Sequence, residues 1–519
     1  MSGQQYFKID VFSHHFVLSQ VQSRGQEVAE NFAKQYIQFG LVKEGRRFIR
    51  APVKVFAARV RGTQGSVLEY RFHIEQLAPF MQHLANMQIL PHTYDVVRHD
   101  CHPGAEESLS VLEKWQSRDY QIPIIEYLVS PEPAKAKLVE VQTGKGKSYM
   151  AMAALAQLKR RFLIIVKPMY IDKWKGDLKE TLGLEGHDVV IIQGSTALMA
   201  LIAKAKQGEL TCKAIIISNK TLQNWYSLYE RKGRYIEKEG YDCYPSELCQ
   251  TLDVGVRLID EVHQDFHLNF KIDLYTHVDR SISLSATLKS DDNFLNRMYE
   301  VAYPKPKRYA GLEYDRYVHA SSFFYHVKDP DKIKTTEWGS TTYSHHAFEK
   351  SIMRDKHLLK DYLDMIVWTA MRFHFERYPR GEHSARLLIY CASIQMCTYV
   401  VEHLRAEIKG LDVRRYVEED PYEDLMEADV SVSTLLSAGT GVDIPGLTTV
   451  ILTTAISSSQ SNIQGFGRLR KLPNKKLQFV YFACLDIPKH VEYHEKKRDM
   501  LKHMALDYDS INYHHSLGT

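Results

Sequence analysis

The sequence predicts a doubly wound α/β fold in more than one unit, because short apolar runs alternate with helical segments along most of its 519 residues. The runs Arg161–Val166, Val189–Ile192 and Ala214–Ile217 are nearly continuous in apolar side chains. Continuous rather than alternating runs are typical of strands buried on both faces of a parallel sheet. A second series begins at Arg386–Ser393. The length of 519 residues also predicts more than one domain, since a single hydrophobic core stops growing at about 250–300 residues.

Composition restricts the class of protein. The hydrophobic fraction of 44% and the charged fraction of 25% are those of an ordinary globular protein. A net charge of +4 permits a nucleic-acid partner without requiring one. The seven cysteines include no CxxC pair, which favours reduced thiols and predicts no zinc framework. The start does not resemble a signal peptide, and no apolar run is long enough to span a membrane, so we expect a cytoplasmic protein with no membrane partner.

Residues 1–110 precede the first strong motif and are predicted to form a small α+β domain. Helical spacing of apolar residues predicts a helix over 24–39, and β-rich stretches follow at Val53–Val60 and Val67–Phe72. Residues 43–73 hold eight Lys or Arg residues against two acids. Such a stretch either contacts a phosphate backbone or forms a solvated strand face, and the sequence leaves both interpretations open.

The segment Val139–Ser148 is the strongest local signal. It places a glycine-rich turn between a short apolar strand and the helical stretch Tyr149–Leu158. Glycines allow backbone N–H groups to approach an anion, and the N-terminus of a helix favours negative charge. Lys147 is therefore predicted to reach the terminal phosphates of ATP, and the Ser148 hydroxyl to bind Mg²⁺. The residues expected to hold the nucleotide in this loop are Thr143, Gly144, Lys145, Gly146, Lys147 and Ser148.

Two further segments follow apolar strands downstream. Val254–Ile259 leads into Asp260-Glu261-Val262-His263, and two adjacent carboxylates at the end of a strand suit nucleotide hydrolysis. Asp260 is predicted to bind Mg²⁺, and Glu261 to orient and deprotonate the attacking water. The third segment is Ser283–Leu288, which contains Ser285-Ala286-Thr287. Upstream, Gln121 lies just before an apolar helix, where its amide could read the edge of adenine.

The order TGKGKS, DEVH and SAT resembles the first motor domain of superfamily 2 (DExH-type) helicases and translocases. The resemblance covers about residues 115–490 and looks most like phage DNA helicases of the branch-migration and recombination type. It implies that His263, Ser285 and Thr287 couple hydrolysis to movement on nucleic acid.

The downstream half contains patterns similar to the later motifs of that family. The stretch from Thr434 to Pro445 is similar to the fifth motif, which implies that Thr434 and Gly441 contact nucleic acid and that Asp443 couples to the nucleotide. Residues 464–470 resemble the sixth motif, with Gln464 as a coupling residue. There Arg468 is the expected arginine finger and Arg470 a second arginine; the family's second arginine would fall on Lys471, which cannot make a planar bidentate contact.

The resemblance implies two tandem RecA-like parallel-sheet motor domains behind a small α+β N-terminal domain. The expected boundaries are 1–110 for the N-terminal domain, 111–305 for the first motor domain, 306–383 for a linker or the start of the second lobe, 384–490 for the second motor domain and 491–519 for a helical tail. Residues 413–430 look too short for a strand–helix unit, and His490 and His494 are expected on a solvated helix face.

The expected activity is ATP-dependent unwinding or remodelling of branched or forked DNA by a monomer, in the host cytoplasm if the protein is viral. The expected cofactors are ATP and Mg²⁺, and DNA is preferred to RNA as the partner. Two alternatives stay open: an RNA helicase, and a nucleic-acid-stimulated ATPase that translocates without separating strands.

Overall fold

The computed structural model of the protein describes residues 5–45, 47–62, 66–309, 314–378, 385–417, 420–438 and 444–518. These residues divide into two compact units, the first drawn mainly from residues up to 309 and the second mainly from residues 314 onward. The first unit contains both the N-terminal module and the first α/β domain.

The N-terminal module is a five-stranded mixed sheet covered by two helices. Phe32 of the first helix and Phe80 of the second lie edge-on to each other, and Phe32 also contacts Phe72 of the sheet. The sheet order is β5-β6-β2-β1-β7, and β3 pairs only with β4 in a separate antiparallel hairpin. The elements are β1 Phe7–Val11, β2 His15–Ser19, α1 Ser23–Ala33, β3 Ile37–Glu44, β4 Arg47–Val55, β5 Ala58–Arg61, β6 Val67–His73, α2 Leu77–Asn86 and β7 Tyr94–Arg98.

The prediction of a helix over 24–39 is wrong at the C-terminal end. α1 stops at Ala33, a single 3₁₀ turn covers Lys34–Tyr36, and β3 begins at Ile37. The apolar residue Phe39 continues the helical spacing of α1 but lies opposite Pro52 in the hairpin. Pairing with a distant strand therefore overrides the local helical pattern.

The first α/β domain is built on a seven-stranded sheet in which all neighbouring strands are parallel. Its order is β10-β11-β9-β12-β13-β8-β14. Strands β9, β11 and β12 are buried along their whole length, as their continuous apolar sequences predict. The elements are α3 Ile122–Val129, β8 Ala136–Glu140, α4 Lys147–Leu158, β9 Phe162–Val166, α5 Ile171–Leu182, β10 Val189–Ile192, α6 Ser195–Lys206, β11 Ala214–Ser218, α7 Asn219–Lys232, α8 Leu248–Thr251, β12 Val256–Ile259, α9 Phe266–Asp273, β13 Arg280–Ser285, α10 Asn293–Ala302 and β14 Arg308–Tyr309.

The second unit contains another seven-stranded parallel sheet, in the order β17-β18-β16-β19-β20-β15-β21. The elements are β15 Val318–Val327, α11 His345–Arg354, α12 Lys356–Ala370, β16 Arg386–Cys391, α13 Ile394–Glu407, β17 Val413–Tyr416, α14 Tyr422–Glu427, β18 Val430–Thr434, α15 Leu435–Ala438, β19 Leu447–Leu452, α16 Ser459–Phe466, β20 Leu477–Cys484, α17 Pro488–Met504 and β21 Asp507–Leu517. The predicted fold class is confirmed: two tandem RecA-like domains with parallel sheets follow a small α+β domain.

Parts of the second unit differ from the sequence-based expectation. Residues 318–370 fall in the range expected to be a linker or the start of the second lobe, and they supply β15, α11 and α12 of the second unit. Residues 413–430 do form a strand–helix unit, because β17 lies at the edge of the sheet, where four residues suffice. The helical tail predicted over 491–519 is wrong beyond Met504, since β21 pairs with β15.

The two histidines of α17 were expected on a solvated face and are buried instead. The His490 ring lies beside the Tyr343 hydroxyl, and its Nδ1 accepts a hydrogen bond from the Cys484 amide at 3.2 Å. The His494 Nδ1 lies 2.9 Å from the Tyr481 hydroxyl. Burial lowers the pKa of His490 to about 3 and that of His494 to about 4, so both rings are neutral at pH 7.

Candidate active site

Three motif segments leave the same edge of the first α/β sheet. The strands β12, β13 and β8 are neighbours, and each ends directly before one segment. The Val141 amide donates to the Ser285 carbonyl at 3.2 Å, and the Val262 amide donates to the Leu284 carbonyl at 3.0 Å. The glycine-rich loop, the DEVH segment and the SAT segment are therefore adjacent at the carboxyl ends of their strands, where α/β sheets bind ligands.

The glycine-rich loop has a conformation that requires its glycines. Gly144 and Gly146 have φ angles of 89° and 78°, in the left-handed region. A Cβ atom at position 146 would lie 2.7 Å from Nε2 of Gln121. That amide donates to the Lys145 carbonyl at 3.0 Å, and the Tyr120 hydroxyl donates to the same carbonyl at 3.1 Å. The side chains of Tyr120 and Gln121 thus stabilise the loop through the Lys145 carbonyl. Contact of Gln121 with adenine stays a prediction.

Lys147 and Ser148 begin α4 directly after the loop. The Lys147 side chain is buried, and its Nζ donates to the Val141 carbonyl at 3.2 Å, so the ammonium group folds back over the loop. Thr143 and Lys145 are half-buried and Gly144 is exposed. The N-terminus of the 12-residue helix α4 carries the positive end of the helix dipole, which favours an anion there.

The acidic pair follows β12. The Asp260 carboxylate is buried and accepts hydrogen bonds from Nε1 of Trp174 at 3.0 Å and from the Glu261 amide at 2.9 Å. Burial raises the pKa of Asp260; Lys173 opposes this effect, and the charge of Glu261 adds to it. Glu261 has a φ of 48°, an uncommon conformation for a residue with a side chain. Such backbone strain is typical of functional sites.

The two oxygens predicted to bind Mg²⁺ both lie near the amine of Lys173. Nζ of Lys173 lies 3.4 Å from Oγ of Ser148 and 3.7 Å from Oδ2 of Asp260. Burial opposes a charge on Lys173, but Asp260 and Asp177 outweigh it and raise the pKa of the amine. The ammonium group of Lys173 thus lies near both the Ser148 hydroxyl and the Asp260 carboxylate. Mg²⁺ is commonly held by one or two such protein oxygens together with substrate phosphates, so this pair fits the ion.

The DEVH and SAT segments are joined by a hydrogen-bond chain. Oγ of Ser285 donates to the Thr287 carbonyl at 2.8 Å, and Nδ1 of His263 lies 2.9 Å from the same Oγ. Because a hydroxyl has one proton to donate, Nδ1 of His263 must be the donor in the second bond. Burial lowers the pKa of His263, so the ring is neutral at pH 7. Nδ1 also lies 3.4 Å from the Glu261 carboxylate, which connects the SAT segment to the predicted base.

The predicted residues of the second unit lie near the carboxyl ends of its strands and on α16. Thr434 ends β18, with its Oγ1 2.9 Å from Oγ of Ser437, and Gln464 lies on α16. Arg468 is buried beside Tyr390, whereas Arg470 is half-buried and donates to the Gly467 carbonyl at 2.8 Å. Two other predicted residues, Gly441 and Asp443, lie outside the described residues.

The sequence analysis missed two residues of this site. Lys173 and Trp174 lie in the first turn of α5, about 86 residues before Asp260, and contact it only through the fold. A basic residue next to an aromatic one is an ordinary helix pattern, so no local signal could have identified them.

The described residues contain no cluster of three or more His, Cys, Asp or Glu side chains suited to a metal ion. None of the helices in the part of the chain that the structure covers is long and apolar enough to cross a membrane.

Part of the chain is similar to a known protein family. Residues 114–290, about a third of the chain, match the family described as "Type III restriction enzyme, res subunit" (ResIII). No curated protein matches the chain. Similar solved structures include a Dbp5 variant of S. cerevisiae bound to a Gle1 variant and IP6, with 12% identity, a TM-score of 0.47, and coverage of 78% of this chain and 90% of that chain. Another is the Hef helicase domain of Pyrococcus furiosus, with 12% identity, a TM-score of 0.44, and coverage of 75% of this chain and 100% of that chain. By this match, residues 114–290 are similar to the domain that defines the ResIII family.

Proposed function

We propose that the protein is an ATP-dependent DNA helicase or translocase that unwinds or remodels branched or forked DNA. The observation that supports it best is the convergence of the glycine-rich loop, the acidic pair and the SAT segment at three adjacent strand ends. The preference for DNA rests on the resemblance of the motifs to phage recombination helicases and on DEVH in place of DEAD. An RNA helicase is the alternative, together with an ATPase that translocates without separating strands.

In this proposal ATP binds at the glycine-rich loop. Backbone N–H groups of the loop and the start of α4 contact its phosphates, and Lys147 turns from the Val141 carbonyl to the terminal phosphates. Ser148 and Asp260 hold Mg²⁺, which when bound neutralises charge on the phosphates. Glu261 accepts the proton of the attacking water, and Trp174 fixes the orientation of Asp260.

Residues of the second unit complete the proposal. Arg468, assisted by Arg470, stabilises the charge that builds on the transferred phosphoryl group, because guanidinium groups bind phosphate through paired hydrogen bonds. Thr434, Gly441 and Gln464 are proposed to contact or sense the nucleic acid, as the family resemblance implies. The chain from His263 through Ser285 to Thr287 is proposed to transmit the state of the nucleotide.

The assay that tests this function measures ATP hydrolysis without nucleic acid and then with single-stranded DNA, forked DNA or RNA, at two salt concentrations. We expect forked DNA to stimulate hydrolysis most, with the stimulation weakening as salt rises. Stimulation by RNA alone would move the protein to the RNA helicases. Stimulation by DNA without displacement of a labelled strand would identify a translocase.

A substitution tests the assignment of the base. Glu261→Gln should still bind ATP but lose turnover, because an amide cannot accept the proton of the attacking water. The matched control is Glu185→Gln, which alters a carboxylate of the same unit that forms an exposed ion pair with Lys179. Hydrolysis by Glu261→Gln at a rate near that of the wild type would refute the role of Glu261.

A further inference from the structure

The hairpin β3–β4 stands apart from the sheets of the first unit. Its strands pair only with each other, and its described residues from Leu41 to Arg50 are exposed on both faces. Leu41 is 75% exposed and Phe48 is 63% exposed. Large apolar side chains gathered on one exposed element are unusual in a soluble protein and indicate a contact surface.

The two faces of the hairpin carry different side chains. On one face, cross-strand pairing places Phe39, Leu41, Phe48 and Arg50 together, and the Arg50 guanidinium lies 5.5 Å from the centre of the Phe39 ring. The other face presents Val42 and Ile49 at its centre. One face therefore combines two aromatic rings with a cation, and the opposite face is aliphatic at its centre, with Glu44 and Arg47 across from each other next to it.

The positive charge of the hairpin is available to a partner. Among the described residues, no carboxylate lies within ion-pair distance of Arg47 or Arg50. The basic residues that follow the hairpin are used differently, because Arg59 pairs with Glu30 and Arg71 pairs with Glu69 inside the module. The basic stretch noted in the sequence is thus divided into structural arginines in the module and outward-facing ones on the hairpin.

The root of the hairpin is fixed to the first α/β domain. Phe56, which follows β4, is fully buried, and its ring lies 4.9 Å from that of Phe270 and 5.9 Å from that of Phe266, both on α9. Asp292, the N-cap of α10, accepts a hydrogen bond from Gln38 at 2.8 Å and lies 3.5 Å from Nζ of Lys54.

Both helices that hold the root follow a motif of the candidate active site. α9 begins three residues after His263, and Nδ2 of Asn269 on α9 donates to the Val262 and Gln264 carbonyls at 3.0 and 2.8 Å. α10 begins six residues after Thr287. Each motif is therefore connected to the root of the hairpin through a short packed segment.

We infer that this hairpin is the element that engages the branch point of DNA, and the inference rests on the proposed function. Phe39 and Phe48 stack on unpaired bases at the junction, while Arg50, on the same face of the hairpin, contacts the adjoining phosphates. Stacking on aromatic rings accepts any base, which suits a motor that acts on many sequences. Charge complementarity favours this partner over an apolar protein surface, since the Arg50 guanidinium lies against the Phe39 ring.

The test uses the full-length protein with Phe39 and Phe48 both replaced by alanine. Both rings are exposed, so the variant should fold as the wild type does. We expect displacement of the strand of a forked DNA to slow about tenfold or more, because stacking on each ring contributes substantially to binding. Hydrolysis of ATP stimulated by single-stranded DNA should stay within about twofold of the wild type.

A spectroscopic readout separates stacking from a general apolar contact. 2-Aminopurine placed at the fork junction should lose fluorescence on binding of the wild type, and this loss should disappear with Phe48→Leu, which keeps an apolar side chain but removes the ring. Trp338→Ala is the matched control, because Trp338 is a fully exposed aromatic residue of the second unit.

The outcomes distinguish this inference from the proposed function. If the wild type shows no hydrolysis stimulated by DNA, the proposed function fails. If the wild type separates forks and the double variant does so equally fast with the same fluorescence change, the hairpin inference fails alone. Retained fork separation would then leave the hairpin as a surface for another protein.

Discussion

Replacement of Trp174 by phenylalanine tests whether the indole positions Asp260 for metal binding. Trp174 is fully buried, and its Nε1 donates a 3.0 Å hydrogen bond to the Asp260 carboxylate. Phenylalanine retains an aromatic ring and removes only the donor and part of the volume. The carboxylate then keeps the Glu261 amide as a donor but can rotate about its χ2 bond.

The expected magnitude follows from the type of bond. A hydrogen bond to a charged group contributes about 1.5–3 kcal/mol, and each 1.4 kcal/mol is about tenfold in an equilibrium constant. Removal of groups that orient a metal ligand typically costs about 10–100-fold in metal affinity or activity. We therefore expect Trp174→Phe to raise the Mg²⁺ concentration needed for half-maximal ATP hydrolysis by about 10–100-fold.

The pH dependence should change in a defined direction. Burial raises the pKa of Asp260, whereas the bond from Trp174 lowers it. Loss of that donor raises the pKa further, so protons compete with Mg²⁺ over a wider range. The acidic limb of the hydrolysis profile should accordingly move to higher pH in Trp174→Phe.

The assay is a Mg²⁺ titration of ATP hydrolysis at fixed nucleic-acid concentration. Trp225→Phe is the control, because Trp225 is equally buried in the same unit and its Nε1 has no hydrogen-bond partner among the described residues. Equal Mg²⁺ requirements for the two variants would refute the role given to Trp174, since both lose the same volume.

Further predictions concern stability and coupling. Asp273→Asn should destabilise the first unit by about 3–5 kcal/mol in denaturant unfolding, because it leaves the buried Arg257 without the carboxylate that now lies 2.5 Å away. Burial lowers the pKa of Lys497 from 10.5 to about 7, so the unfolded chain binds more protons above pH 7. The stability of the second unit should therefore rise with pH from about 7 to about 10.5, by at most about 1.4 kcal/mol per pH unit, and Lys497→Met should abolish this rise. Ser285→Ala should leave hydrolysis without nucleic acid within about twofold and reduce its stimulation by DNA about tenfold, because the bond to His263 is lost; unchanged stimulation would contradict the coupling role.

Local sequence patterns predicted those elements whose secondary structure is decided by the run of side chains in the element itself. β9 and β11 are continuous apolar runs, and such runs have few alternatives to a strand buried on both faces. The adjacency of the strand ends before Val141, Asp260 and Ala286 also followed from the sequence, because parallel strands carry their carboxyl ends to one edge of a sheet.

Other parts depended on contacts that no local pattern reveals. The burial of His490 arises from Tyr343, about 147 residues away, so the polar sequence of α17 was misleading. Phe39 follows the helical spacing of α1 but pairs across the hairpin. β21 is polar because it lies at the edge of its sheet, and polar edge strands lack the apolar signature of central ones.

The position of β21 also constrains how the second unit can assemble on the ribosome. β15 is the earliest strand of this sheet to be synthesised, yet its neighbours β20 and β21 are the latest. Oγ of Ser322 bonds Oγ of Ser510, about 188 residues further along the chain. Contacts of such long range close slowly, because the entropy of the intervening chain must be lost first. β15, with its buried Phe323 and Tyr325, therefore emerges long before it can be covered, and nascent chains halted before residue 507 should depend on chaperones.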